Sequence, residues 1–379
     1  MSETKPEPGK AARIGRETFA WILACALIGL LVLIGLYKHE TIRSQITATG
    51  DLEIMATNYR FTVVVEGDTG KAENALDDAK AVATAVGVEM STHLQSSPLS
   101  LFNRAEAMEK IELPPQTMEV LQASREFYEQ TSGAFDVTIL PIIQLYRQAA
   151  ADRRSPTQQQ IDAAREASRW EDILVLADGT AIKQRSSAGF DLGGVAKGYA
   201  IDKAMEVLRD AGVAGAMVDI GGDLRVWGAA PGGQAWRIAL QDPFQPNNPD
   251  AMLCRLAITD AAVCTSGNYQ RAYQIGQIRY SHIIDPRDPR RKEADQFPAS
   301  VTVIAPTAMV ADAWATALSV LGREEGMALL EKVEGVEALL VYGDPDDTQS
   351  YTTPGFNQYL LKNPPGLVRQ QPQLSLLGR

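Results

Sequence analysis

Past residue 50, stretches with a two-residue hydrophobic period alternate with stretches of helical period. "IMATNYRFTVVVEG" reads as a strand, giving way at Gly67 to a helical pattern over Ala72 to Val86. Further helices are predicted over Pro115 to Ser132, closed by Gly133, and over Pro156 to Ala167. "DILVLADGTAIK" reads as a hairpin about Asp178 and Gly179. From Phe190 the order is "GFDLGG", a helix over Ala196 to Arg209, then the strands "GAMVDIGG", "LRVWG", "AWRIAL", "LAITDAAVCT", "RYSHIID" and "ASVTVIAP". A helix over Ala305 to Gly322, a second over Glu324 to Val333 and the strand "EALLVYG" complete the pattern. So many short turns between strands predict an α+β fold, a mixed or antiparallel sheet flanked by helices, rather than a doubly wound one. Neither GxGxxG nor GxxxxGK[ST] occurs.

Upstream, Phe19 to Tyr37 is an uncharged, almost wholly apolar run of 19 residues. As a helix it would rise roughly 28 Å, close to a bilayer's hydrocarbon core. Lys5, Lys10, Arg13 and Arg16 precede it and only Lys38 and Arg43 follow closely, which predicts a cytoplasmic N-terminus and a single-pass inner-membrane anchor. The run is longer than a signal peptide's apolar region and lacks a small-x-small cleavage site. Ile22, Leu23 and Ala24 before Cys25 match a lipobox only loosely. The expected layout is a cytoplasmic segment 1–18, an anchor 19–37, a polar stalk 38–50, one folded domain 51–363, and a polar tail 364–379 that is unstructured or docks on a partner.

The 379 residues carry a net charge of −11 and no lysine or arginine block, which excludes a nucleic-acid function. Three histidines and no CxxC pair exclude a histidine-rich or zinc-type metal site. Cys254 and Cys264 either pair in an oxidising space or remain free and buried.

The chemistry-bearing pattern lies elsewhere. In the helix over Ala305 to Gly322, Asp312 and Thr316 stand one turn apart on one face, hard oxygen donors of the kind Mg²⁺ takes together with water and phosphate. The alternative is a Thr316 hydroxyl bonded back to the Asp312 carbonyl. "FDLGGVAKGYAID" places Lys197 in a helix's first turn, where a cation opposes the macrodipole unless an anion binds there; the alternative is an ordinary surface lysine. In "RYSHIIDPR", His282 and Asp285 lie close in sequence, as a proton-handling pair or as structural residues. "TSGAFDVTI" is a further candidate, or only a helix cap leading into a strand.

Taken in order, "MATNYRF", "MSTHLQSSPLSLFN", "SGAFDVTILPIIQLY", "FDLGGVAKGYAID", "VDIGGDLRVWG", "CTSGNYQRAY", "YSHIIDPR" and "VTVIAPTAMVADAWATAL" resemble the FAD:protein FMN transferase family, usually called ApbE, from about Met55 to Tyr342. The resemblance implies a T-fold-related α+β domain on the periplasmic face that uses Mg²⁺ to split FAD and transfers FMN to a Thr or Ser hydroxyl of a target protein, releasing AMP. It implies Mg²⁺ ligands at Asp312, Thr316 and the carbonyls of Gly194 and Ala315. It implies FAD contacts at Met55, Ala134, Phe135, Asp136, Asp191, Lys197 and Ile283, with His93 in the flavin wall where relatives are often aromatic. His282, with Asp285, is the implied base for the acceptor hydroxyl. Ala56 stands where relatives usually have Gly, and "DPRDPR" lacks the usual Thr-Gly. Acceptors of the family type are membrane redox subunits of NADH dehydrogenase-like ion pumps. The same site with water as nucleophile would be an FAD pyrophosphatase, and without catalysis a flavin-binding maturation partner.

Overall fold

The computed structural model describes residues 21, 26–31, 43–66, 69–267, 272–275, 278–281, 283–290 and 297–369. Its main sheet has nine strands among these residues. In spatial order they are β1 (Arg43–Ile54), β2 (Thr57–Glu66), β6 (Gly215–Ile220), β7 (Asp223–Gly228), β10 (Ala262–Gly267), β13 (Ser300–Ala305), β14 (Glu337–Gly343), β15 (Thr348–Thr352) and β17 (Leu367–Arg369). Every neighbouring pair is antiparallel except β15 with β17. Smaller sheets are formed by β3 (Lys110–Glu112), β5 (Thr180–Lys183) and β4 (Ile173–Val175), by β16 (Leu360–Lys362), β9 (Met252–Ile258) and β8 (Trp236–Gln241), and by β11 (Ala272–Ile275) with β12 (Ile278–Ser281). The helices are α1 (Thr69–Glu89), α2 (Pro98–Arg104), α3 (Pro115–Gln130), α4 (Leu140–Ala151), α5 (Gln158–Ala167), α6 (Ala196–Asp210) and α7 (Ala308–Leu330).

Both faces of the main sheet are covered, and the two-residue period decides which side chain goes where. Phe61 and Val63, Val301 and Val303, and Ala338 and Leu340 join the core beneath α1, α6 and α7. Their strand neighbours Val64, Ile304 and Leu339 point the other way, into a second core closed by Trp236, Leu256 and Phe356. A third, smaller cluster packs α4 and α5 on Ile284, and Tyr146 donates to the Pro289 carbonyl at 2.6 Å.

The antiparallel α+β architecture is the one the turn pattern predicts, with three differences. β1 occupies residues read as stalk. It is an edge strand that, over the residues read as stalk, packs Ile46 and Ala48 inward while Gln45, Thr47 and Thr49 stay exposed, too few apolar positions to mark a strand. "LAITDAAVCT" is two strands, β9 and β10, parted at Asp260 with φ +48° and belonging to different sheets. β17 places Leu367–Arg369, part of the expected polar tail, at the edge of the main sheet.

The expectation of a membrane anchor and an inner-membrane, periplasmic location is corrected. Among the described residues no helix is long and apolar enough to cross a membrane. Of the run 19–37 only Trp21 and residues 26–31 are described, and they are helical.

Candidate active site

The site is built where two helices begin. α6 starts at Ala196 after the double glycine, with no side-chain cap from its own N-cap residue, Val195. Its cap comes from α7: Asp312 Oδ2 accepts the Gly198 amide at 3.0 Å. As the third residue of the helix, Gly198 carries an amide with no carbonyl partner inside the helix. Asp312 takes it instead, and the Gly194 carbonyl accepts no hydrogen bond among the described residues.

Thr316, one turn along α7, lies against the same glycine. A Cβ on Gly194 would stand 3.0 Å from Thr316 Oγ1 and 3.4 Å from the Phe135 ring. Among the described residues Thr316 Oγ1 makes no hydrogen bond, so the back-bond to the Asp312 carbonyl is not formed. Ala315 is fully buried within α7, and its carbonyl accepts Ser319 Oγ at 2.8 Å beside the helix's own backbone bond. Asp312 is 5% exposed, and burial, reinforced by nearby Asp223 and opposed by Lys197, raises its carboxyl to about 7. One carboxylate, one hydroxyl and two carbonyl sites form a hard, mostly neutral donor set, which suits Mg²⁺ completed by water and phosphate. No group of three or more His, Cys, Asp or Glu side chains placed to hold a metal occurs among the described residues.

Lys197 is not an ordinary surface lysine. Its Nζ is ion-paired with Asp223, whose other oxygen accepts the Thr265 amide at 2.7 Å. Burial alone would lower the Lys197 pKa, but Asp223 and Asp312 outweigh it and hold the ammonium charged. The unfavourable position in the helix's first turn is thus answered by two carboxylates of the protein itself. Asp223 is a site residue that sequence reasoning missed. The signal was an Asp directly after the paired glycines of "VDIGGD", with Gly221 and Gly222 both at positive φ in the β6–β7 turn.

Around this centre the other predicted residues fall into groups. Ala134 and Phe135 are buried, and Phe135 stands edge-on to Phe127 at 5.7 Å. Asp136 accepts the amide and hydroxyl of Thr138 at 2.8 and 2.7 Å, yet burial still pushes its carboxyl up to about 7. Asp191 is joined to this segment by its amide, which donates to the Val137 carbonyl at 2.8 Å, and its Oδ1 accepts the Gly193 amide at 2.9 Å.

Ile283 is buried, while Asp285 is held on both oxygens by Arg287, Nε to Oδ1 at 3.0 Å and Nη2 to Oδ2 at 3.0 Å. Arg287 also reaches Glu325 at 2.7 Å and lies against Gly133. So engaged, Asp285 aligns its own loop; the pairing with His282 expected from sequence falls on a residue outside the described ones. Met55 and His93 are joined to the Asp312 cluster by no hydrogen bond or ion pair among the described residues. Met55 occupies the β1–β2 turn and packs on Gly87, and His93 is exposed beside Ser91. Cys254 and Cys264 are buried free thiols.

A model of the ApbE family matches residues 55–340. An FAD:protein FMN transferase of Vibrio cholerae serotype O1 is 30% identical over 344 residues, 90% of this chain and 99% of the relative. Among solved structures, flavin transferase ApbE from Vibrio cholerae superposes with a TM-score of 0.72 at 28% identity, covering 84% of this chain and all of that one. The apo form of Pseudomonas stutzeri flavinyl transferase ApbE gives a TM-score of 0.71 at 27% identity, covering 83% and 96%.

Proposed function

The chain belongs to the ApbE family, and from that premise we propose that it transfers FMN from FAD to a Thr or Ser hydroxyl of a redox protein, with Mg²⁺ bound at Asp312, Thr316 and the carbonyls of Gly194 and Ala315. The acceptor oxygen forms a bond to the FMN phosphorus, the pyrophosphate bond breaks, AMP leaves with the bridging oxygen, and the acceptor's proton passes to a base. When bound, the metal supplies charge to the pyrophosphate oxygens. The observation that carries this reading is that Asp312 caps the Gly198 amide at the start of α6 while Thr316, one turn along α7, lies against Gly194, its hydroxyl and the Gly194 carbonyl both without hydrogen-bond partners among the described residues.

The protein's part is positioning and electrostatics, as phosphoryl-type transfer requires. Asp223 fixes Lys197 as a standing positive charge beside the metal ligands, where it favours an anionic pyrophosphate without having to move. Asp136, Asp191 and the buried Ala134–Phe135 pair are assigned to FAD. Both Asp285 oxygens being held by Arg287, the base role falls to His282 alone.

The test is incubation of the protein with FAD, Mg²⁺ and a Thr-bearing acceptor, reading protein-bound flavin and released AMP. Covalently flavinylated acceptor is expected, nearly abolished by Asp312→Ala and reduced less by Thr316→Val, with partial recovery at raised Mg²⁺. Free FMN and AMP with no labelled acceptor would make it a pyrophosphatase, and unchanged FAD a binding protein. Transfer unaffected by chelator would overturn the metal assignment.

A further inference from the structure

Asn103, at the end of α2, makes both hydrogen bonds of one backbone residue in a distant segment. Its Oδ1 accepts the Phe190 amide at 2.8 Å and its Nδ2 donates to the Phe190 carbonyl at 2.8 Å. A side-chain amide here does the work of a neighbouring strand, satisfying donor and acceptor together. The approach depends on Gly189, where a Cβ would stand 2.7 Å from Asn103 Oδ1 and 2.8 Å from Leu140.

The clamp is itself anchored. Fully buried Lys183 donates to the carbonyls of Asn103 at 2.8 Å, Ser186 at 2.8 Å and Ala188 at 3.0 Å, tying the backbone that carries the amide to the backbone it grips. Immediately downstream, the Asp191 amide donates to the Val137 carbonyl. The chain from Ala188 to Asp191 is therefore held at every residue but the glycine. Gly194, which lies against Thr316, follows three residues on.

We infer that Asn103 is a positioning residue for FAD, presetting through Phe190 the backbone that presents Asp191 to the nucleotide and leads into Gly194 of the metal ligand set. This rests on the function proposed above. Asn103 touches neither the Asp312 cluster nor Lys197, so its effect passes through the segment it holds.

The test uses Asn103→Asp, which keeps the shape and makes the donor depend on protonation. As a neutral acid it donates to the Phe190 carbonyl and accepts the Phe190 amide; ionised, it turns a negative oxygen toward that carbonyl. FAD affinity is measured by calorimetry on wild type, Asn103→Asp and Asn103→Ala between pH 5.5 and 8, with the thermal midpoint followed in parallel and amide exchange read over residues 188–194. The expected result is an affinity deficit for Asn103→Asp of about tenfold at pH 8 that closes as pH falls, a deficit for Asn103→Ala that does not follow pH, and faster exchange confined to that segment in Asn103→Ala (about tenfold corresponding to roughly one lost hydrogen bond to this backbone). A deficit that does not change with pH in Asn103→Asp, or wild-type affinity in Asn103→Ala, would overturn the inference while leaving the transferase reading intact. A wild-type protein that binds FAD but transfers no FMN would overturn that reading and not this one. A wild-type protein that binds no FAD would overturn both.

Discussion

Asp202 and Asp312 cap each other's helices. Asp202, in α6, accepts the amides of Ala308 and Met309 at 2.8 Å each at the start of α7, and Asp312, in α7, accepts the Gly198 amide at the start of α6. The helices cross so closely that a Cβ on Gly198 would stand 2.2 Å from the Ala308 carbonyl. The arrangement neutralises two helix N-termini and places Asp312 beside Gly194.

Asp202 lies outside the proposed ligand set, so its loss reports on the crossing. It is buried and paired with Arg225 at 2.7 Å. Asp202→Ala is expected to destabilise the protein by about 3 kcal/mol, because it leaves Arg225 unpaired and two amides uncapped. Urea denaturation at neutral pH checks this; a change within experimental error would mean the caps contribute little.

Lys197→Ala is expected to cost about 3 kcal/mol of stability as well as FAD affinity, since Asp223 and Asp312 would lose the cation between them. The sequence alone suggests the reverse for stability, a lysine whose removal relieves the helix dipole. Combining Lys197→Ala with Asp223→Ala should cost less than the sum of the two single changes. A double-mutant cycle with no coupling would show the pair to be incidental.

Ala56 sits at φ +54° after Met55 at φ +49°, two left-handed residues in succession in the β1–β2 turn. Glycine adopts this conformation without the Cβ clash. Ala56→Gly should therefore raise stability by about 1 kcal/mol, read as a small increase in Tm. An unchanged or lower Tm would show that the strain is relieved elsewhere.

The Asp136 carboxyl is raised from 3.8 to about 7, so the folded state binds its proton more tightly than the unfolded chain does. Its contribution to stability is complete below the unfolded value and is lost as pH rises through the folded one. Between pH 4 and 7 the fall in stability should be shallower in Asp136→Asn than in wild type. Parallel slopes in pH-dependent denaturation would place the perturbed titration elsewhere.

Much of the fold was legible because its signals are local. The periods of β2, β13, β14, α1 and α6, the Asp178–Gly179 hairpin and the break at Gly322, which the structure shows at φ +71° inside α7, each arise within a few residues. The family was legible for the same reason, as eight short motifs in order. β1 was not, since an edge strand with one packed face carries little hydrophobic contrast. The site's working contacts were not legible either. That Asp312 and Thr316 share a helix face follows from 3.6 residues per turn, but that Asp312 takes the Gly198 amide 114 residues away, that Asp223 holds Lys197, and that Arg287 reaches Glu325 follow only from which helices cross and which loops meet. Sequence sets the chemistry each side chain can offer; the packing of α6 against α7 over the sheet decides which partner it meets, because burial makes an unpaired charge or amide too costly to leave alone.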